Sequence, residues 1–324
     1  VVTYSKPYRT FEEQAQLLVS RGIQLRSDRA LWALERIGYY RLSGYWYPYR
    51  QVDTEGSDAA GKPVRRSNVV PGTDIEQILR LYEFDRQLKL LVMEAIERVE
   101  VALRVEIAYV LGKRHPTAHQ RPECLDGRFT KPRPGRPSRH DDWLRKFDEH
   151  LDRSSEEFVE HFKRKYDGDL PVWVAIEVLD FGSMSILFHG CKPPDRSMIA
   201  DRLGVVDATG VGDGKALGNW LRVLNLLRNT SAHHARLWNR NLVDQVATSR
   251  VGHIRELAHL SSLSARDLAR VYPAITVLSW LLKSVDPTTD WVDRLRELLG
   301  RFPSDGVVAL ADMGVPAAWR ELLN

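Results

Sequence analysis

The sequence predicts an all-α protein, a helical bundle with long central helices and extra helices at both ends. Three observations carry that expectation. Apolar residues recur at three- and four-residue steps through most of the chain, most persistently between Ile75 and Val110. Helix-start signatures of the S/T-x-x-E form stand at Thr10-Phe11-Glu12-Glu13, Thr73-Asp74-Ile75-Glu76 and Ser154-Ser155-Glu156-Glu157. Strand-like alternation is nearly absent, and no repeat of fixed period is found.

The first signature starts a helix that uses Ala15, Leu17 and Leu18 and stops at Gly22. Ser27 opens a second, carrying Leu31, Leu34 and Ile37 to Gly38. An aromatic run with interleaved arginines follows, including Arg41, Tyr45, Trp46 and Arg50, which either packs on a neighbouring helix or stacks RNA bases and grips phosphates. Gln51 to Gly72, with Lys62, Arg65 and Arg66, reads as a mobile loop. The second signature launches the longest helix, about 57 Å if unbroken. Arg98 and Arg104 on it either line a groove or pair with Glu97, Glu100 and Glu106.

Arg121 to His140 carries Arg121, Arg128, Lys131, Arg133, Arg136 and Arg139 between four prolines, a composition from which no core is expected; such a loop either floats in solvent or lies along a phosphate backbone. Helices are then expected over Asp141 to Leu151, Ser154 to Tyr166, from Pro171, over Ser183 to His189 and around Asp195 to Leu203. Gly204 to Gly214 reads as a linker, since no strand precedes it and no G-K-[ST] ends it. Asp180-Phe181-Gly182 spells a kinase triplet without the other kinase signatures, and is set aside. Past the organising helix at Leu217 to His233, a helix from Ser264 toward Val285 should kink at Pro273, and two short helices near Asp290 to Leu299 and Pro316 to Leu323 close the chain. The expected division is 1–72, a helical hairpin with the aromatic and basic segment; 73–285, the helical core with its basic loop at 113–140; and 286–324, a helical tail.

Bulk properties narrow the function. A chain of 324 residues, 43% hydrophobic, can bury a large core. The net charge of +4 excludes a polycation, yet the basic clusters leave room for an acidic partner, and nucleic acid fits them better than a membrane. Two cysteines, Cys124 and Cys191, outside any C-x-x-C pair fit a reducing cytoplasm and neither a disulfide framework nor a zinc site. The first residues lack a signal-peptide pattern, and the longest apolar run, near Ala274 to Leu282, is too short to span a bilayer. No acidic cluster or His-x-x-His set marks a metal site, so no cofactor is expected.

The chain is organised around NWLRVLNLLRNTSAHHARLWNRN, Asn219 to Asn241. An apolar helix face ends in Arg228-Asn229-Thr230-Ser231-Ala232-His233, followed by His234, Arg236 and Trp238. Arginine holds phosphate in a planar fork, and imidazole trades protons near neutral pH, so the group has the parts for cutting RNA. On an ideal helix Arg228 and His233 point roughly 140° apart and are ~7.5 Å apart in rise, so either the helix deforms near Thr230 and Ser231 or a second copy completes the site. Arg114 to His119 and Arg145 to His150 repeat the spacing, so spacing alone is not specific; the bland reading is a solvated helix end.

The segment LRNTSAHHARLWNR resembles the signature of bacterial Abi-like (abortive infection, AbiD/AbiF-type) proteins, members of the HEPN superfamily of helical ribonucleases. KPYRTFEEQAQLLVSRGI, ERIGYYRLSGYWYPYR, LYEFDRQLKLLVMEAIERVEVALRVEIAYVLG and PVWVAIEVLDFGSMSILF are similar to the same family, so the likeness covers most of the chain in order. The resemblance implies a metal-independent endoribonuclease with Arg228, Asn229 and His233 catalytic, and a homodimer that pairs two motifs. On that reading His234, Arg236, Trp238, Arg41, Tyr45, Trp46, Arg104, Arg128, Lys131, Arg133 and Arg136 are the candidate RNA contacts. Some relatives carry a second arginine–histidine pair near Arg104; Tyr109 stands at the histidine's place here, so no second pair is assigned. A non-catalytic alternative, a protein holding a small structured noncoding RNA, and a purely structural role for the two histidines remain open at this point.

Overall fold

The computed structural model describes residues 3, 5, 7–26, 28–57, 63–166 and 169–323. Apart from one two-stranded sheet its regular structure is helical, as the periodicity predicts. Contacts group the chain into two compact units, Val1–Leu88 with Glu297–Asp312, and Lys89–Arg296 with Met313–Asn324.

In the first unit, α1 (Phe11–Ser20) begins on the expected capping box: the Thr10 hydroxyl accepts the Glu13 N–H, and the Glu13 carboxylate accepts the Thr10 N–H. It ends before Gly22, whose φ of +91° costs glycine little. Helix α2 (Arg29–Arg36) follows Asp28; the expected opener Ser27 lies outside the described residues. Helix α3 (Tyr39–Trp46) holds the aromatic run.

Where a loop was expected, a hairpin forms from β1 (Arg50–Ser57) and β2 (Pro63–Val69), antiparallel, with Arg50 opposite Val69 and Val52 opposite Arg65. The Arg65 guanidinium donates to the carbonyls of Pro48 and Arg50 at 2.7 and 2.8 Å and lies over the Tyr47 ring. Val52 and Val64 face solvent, so the hairpin shows no apolar alternation. Lys62, placed in the same loop by sequence, lies outside the described residues.

Helix α4 (Ile75–Gly112) is unbroken. It is capped one residue later than expected: the Asp74 side chain accepts the Glu76 N–H and its own N–H donates to the Gln77 side-chain amide oxygen, each at 2.8 Å, while the Thr73 hydroxyl turns back to the Val70 carbonyl. The division between units falls inside this helix, and no composition break marks it.

The second unit contains α5 (Gly127–Thr130), α6 (Arg139–Arg153), α7 (Glu157–Tyr166), α8 (Val172–Ala175), α9 (Phe181–Gly190), α10 (Pro193–Arg202), α11 (Gly214–Ala232), α12 (Ala265–Leu268) and α13 (Val271–Val285). Helix α14 (Trp291–Gly300) spans the second division, and α15 (Trp319–Leu322) ends the chain. Helix α11 packs on α9, α10 and α13 and buries Trp220, Leu221, Leu224 and Leu227. Each such side chain contributes about 1.5–3 kcal/mol of burial.

Two further expectations change. The basic segment between Arg121 and His140 is not coreless: Leu125, Phe129 and His140 are buried, and Ser138 and Asp141 form a capping box for α6. Three apolar or aromatic anchors suffice to pin the segment, leaving its arginines outside. Pro273 does not kink a long helix. The chain breaks at Ala269 and Arg270, and Pro273 occupies the first turn of α13, where its missing N–H has no helical partner to lose.

Candidate active site

Helix α11 starts on Asp213, which accepts the N–H groups of Lys215 and Ala216 at 2.9 Å each and is itself held by Arg250. The helix stays regular through Thr230 and Ser231, which removes the deformation route for uniting Arg228 with His233. It ends with a Schellman turn: the His234 N–H donates to the Ser231 carbonyl and the Ala235 N–H to the Thr230 carbonyl, both at 3.0 Å. The left-handed position of that turn is filled by His234 at φ +55°, the one described non-glycine residue with positive φ. Glycine is the usual occupant, so the imidazole is held there at a local conformational cost.

The Arg228 guanidinium donates to the Asn229 side-chain carbonyl at 3.3 Å, and the Asn229 amide donates to Asn225 at 3.4 Å. Arg228 is half-buried and its Nε has no partner among the described residues. Two carboxylates feel its charge. Burial pushes the Glu100 carboxyl up, against the pull of Arg104 and Arg228. Burial also works against ionised Asp180, but hydrogen bonds from Ser183, with His150 and Arg228 nearby, leave its pKa below the usual range. Arg104 donates to Glu100 at 2.6 Å, to the Leu179 carbonyl at 2.8 Å and to Glu177 at 3.3 Å. Asp180, from the discarded triplet, caps α9 through the Ser183 N–H at 2.6 Å. Sequence reasoning missed Asp180 as a neighbour of Arg228. The available signal was its position as an N-cap ahead of an apolar helix.

Arg228 and Asn229 are therefore brought together, whereas among the described residues no side-chain hydrogen bond joins His233 to either; only its backbone N–H donates to the Asn229 carbonyl, at 3.0 Å. His233 is exposed at the cap position, as is His234 beside it. Arg222, Asn225, Asn229 and His233 recur at three- and four-residue steps and form one polar stripe along α11 and its cap.

The other candidates divide by burial. Trp238 is 0% exposed, and Tyr45 and Trp46 are each 1% exposed, so none offers a ring face to a base, which corrects their place among the candidate RNA contacts and leaves packing as the role of Tyr45 and Trp46. Tyr45 donates to Asp85 at 2.7 Å, and Trp46 meets Tyr39 edge to face at 5.0 Å. Arg41, Arg128, Lys131 and Arg136 are exposed and Arg236 is half-buried. Arg133 is tied to Asp142 at 2.5 Å and to the Pro137 carbonyl at 3.0 Å. Arg104 lines a 490 Å³ groove, but its terminal nitrogens serve the ion network. Among the described residues no cluster of three or more His, Cys, Asp or Glu is arranged to hold a metal ion, and no helix is long and apolar enough to cross a membrane.

Fold and site together define an all-α protein with a half-buried arginine–asparagine pair, whose charge acts on two carboxylates, and with two solvent-facing histidines at the end of the same helix. Residues 32–239, more than half of the chain, match the model of the Abi-like proteins, and the chain belongs to that family. The matched segment closes just after the Arg228-to-His234 stretch. No curated protein and no solved structure matches the chain.

Proposed function

We propose that this protein is a metal-independent endoribonuclease of the HEPN type serving abortive infection, a phage defence, and that it cuts RNA at Arg228, Asn229 and His233. The observation that carries the proposal is the end of α11, where half-buried Arg228, its buried Nε without a partner among the described residues, stands five residues before an exposed imidazole. In the reaction the 2′-hydroxyl attacks its own 3′-phosphorus; the bond to the 5′-oxygen breaks, leaving a 2′,3′-cyclic phosphate and a 5′-hydroxyl. His233 moves the protons. Arg228 takes the negative charge that grows on the phosphorane oxygens, and Asn229 positions the phosphate. Because both groups cannot face one phosphate from a straight helix, a homodimer supplies Arg228 from one copy and His233 from the other.

The test is cleavage of labelled RNA by purified protein, with and without chelator. His233→Ala should lower the rate by about 10²–10⁴-fold. Arg228→Lys, which keeps the charge beside Glu100 and Asp180 but loses the fork, should also cut poorly. Chelator should leave the rate unchanged. Equal cutting by wild type and both variants would end the proposal.

A second reading is favoured by one observation: the Arg228 charge already acts on two carboxylates, and its guanidinium donates to an amide. An arginine so compensated can hold a small structured noncoding RNA without cutting it. Nucleic acid extracted from the purified protein separates the readings: one RNA of constant length supports holding, and fragments that shorten with time support cutting.

A further inference from the structure

A cavity of about 560 Å³ lies in the second unit, walled by α5, α6, α9, α10 and α11. Five cations line it, Arg128, Arg139, Lys146, Arg196 and Arg222, against two carboxylates. Both carboxylates are engaged. Asp126 accepts the Arg128 N–H at 2.8 Å and lies 3.8 Å from Arg196, and Asp142 pairs with Arg133 at 2.5 Å. Among the described residues the charged ends of Arg128, Arg139 and Lys146 have no carboxylate within 4.0 Å. The remaining polar group, His189, is held neutral. Burial and then the charges of Arg222 and Arg196 push its pKa down to about 4, and Arg222 donates to its Nε2 at 3.3 Å. Phe129, Trp143 and Ile186 add an apolar floor. Cations gathered over an apolar floor repel one another until an anion answers them, and the volume suits a ligand of nucleotide size.

The cavity's position gives that ligand a direction. Gly218 of α11 faces His189, and Asn225 faces Gly182, so α9 runs antiparallel along the polar stripe. Arg222 marks the cavity end of the stripe and His233 the other, ~16 Å away along the helix.

We propose that this cavity is an RNA subsite. It holds one nucleotide of a single strand, with its phosphate on Arg139, Lys146 and Arg222 and its base over Phe129 and Ile186, a few nucleotides from the bond presented to His233. A single strand is required because stacked duplex bases cannot enter a cavity of this kind. The course of the strand toward His233 rests on the nuclease reading; binding at the cavity does not.

The experiment measures anisotropy of a short labelled unstructured RNA on His233→Ala protein, so that nothing is cut, and compares it with His233→Ala also carrying Arg139→Ala and Lys146→Ala. Arg139 and Lys146 are exposed, and circular dichroism checks that the fold is kept. The triple variant should bind on the order of tenfold more weakly at low salt. Its plot of log affinity against log salt should be shallower by about 0.7, the one single-strand phosphate that the cavity holds. Unchanged affinity and slope would overturn the subsite. So would competition by a free nucleoside monophosphate as strong as by the oligonucleotide, or equal competition by duplex RNA. If wild type never cuts but the triple variant loses affinity, the nuclease reading alone fails. If wild type cuts and the slope is unchanged, the subsite alone fails.

Discussion

His119 is 0% exposed and neither ring nitrogen has a hydrogen-bond partner among the described residues. It sits edge-on to Trp143 and Phe147 at 6.2 and 5.3 Å between centroids, and its carbonyl accepts from the buried His140 ring at 2.8 Å. Burial, with His140 beside it, drives its pKa down from 6.5 to about 4. In the unfolded chain the same imidazole takes its proton near pH 6.5. The folded state therefore keeps its full stability above about pH 6.5 and loses it as pH falls toward 4, by up to ~3 kcal/mol for this one group. Replacing His119 with leucine should flatten that loss in urea unfolding measured between pH 7 and 4.5. An unaltered pH dependence would show that His119 finds a proton-binding partner in the fold. The same residue scale explains what the sequence revealed about the aromatic run. Leu42, Tyr45, Trp46 and Tyr49 stand at three- and four-residue steps, so their burial was legible as an apolar helix face. Which side of the ambiguity won depended on Asp85 and Asp305, 40 and 256 residues away, accepting the two tyrosine hydroxyls.

At the level of elements, α9 is pressed from both sides through glycines. A Cβ at Gly190 would stand 2.5 Å from the Phe129 ring, and one at Gly218 of α11 would stand 2.7 Å from the His189 ring. Phe129 is buried and backed by the tightly packed α6, so it has little room to yield. Gly190→Ala should cost about 1–3 kcal/mol by overpacking, read as a fall in the urea midpoint with an unchanged m-value. A neutral effect would mean that the α5 turn is free to shift outward. Helices such as α1, α6 and α11 were readable because caps and periodicity are local. The hairpin was not, because Val52 and Val64 face water and Arg65 ties it to the carbonyls of Pro48 and Arg50, a contact that no strand pattern records. The break before α13 was missed for a similar reason. Pro273 was noticed, but its place relative to the helix start depends on Arg270, whose guanidinium donates to the Asn239 carbonyl at 2.5 Å.

For the whole molecule, the decisive question is whether one chain suffices. With α11 regular through Ser231, the Arg228 charge acts on Glu100 and Asp180 while His233 stays with the stripe of Arg222 and Asn229. A site that needs both side chains on one phosphate must then borrow one from a second copy. That arrangement predicts complementation. Arg228→Lys and His233→Ala proteins, each nearly inactive, should regain cleavage when mixed and allowed to exchange subunits. A mixed two-fold dimer contains one site with both native residues and one with neither. Random pairing makes about half of the dimers mixed, so activity should recover to roughly a quarter of wild type. The recovery should vanish on dilution below the dimer's dissociation constant, because each half-site is then alone. If the mixture stays as inactive as its parts while wild type cuts at all dilutions, Arg228 and His233 of one chain work together. The guanidinium would in that case have to leave the Asn229 side chain and swing round the helix to reach the phosphate.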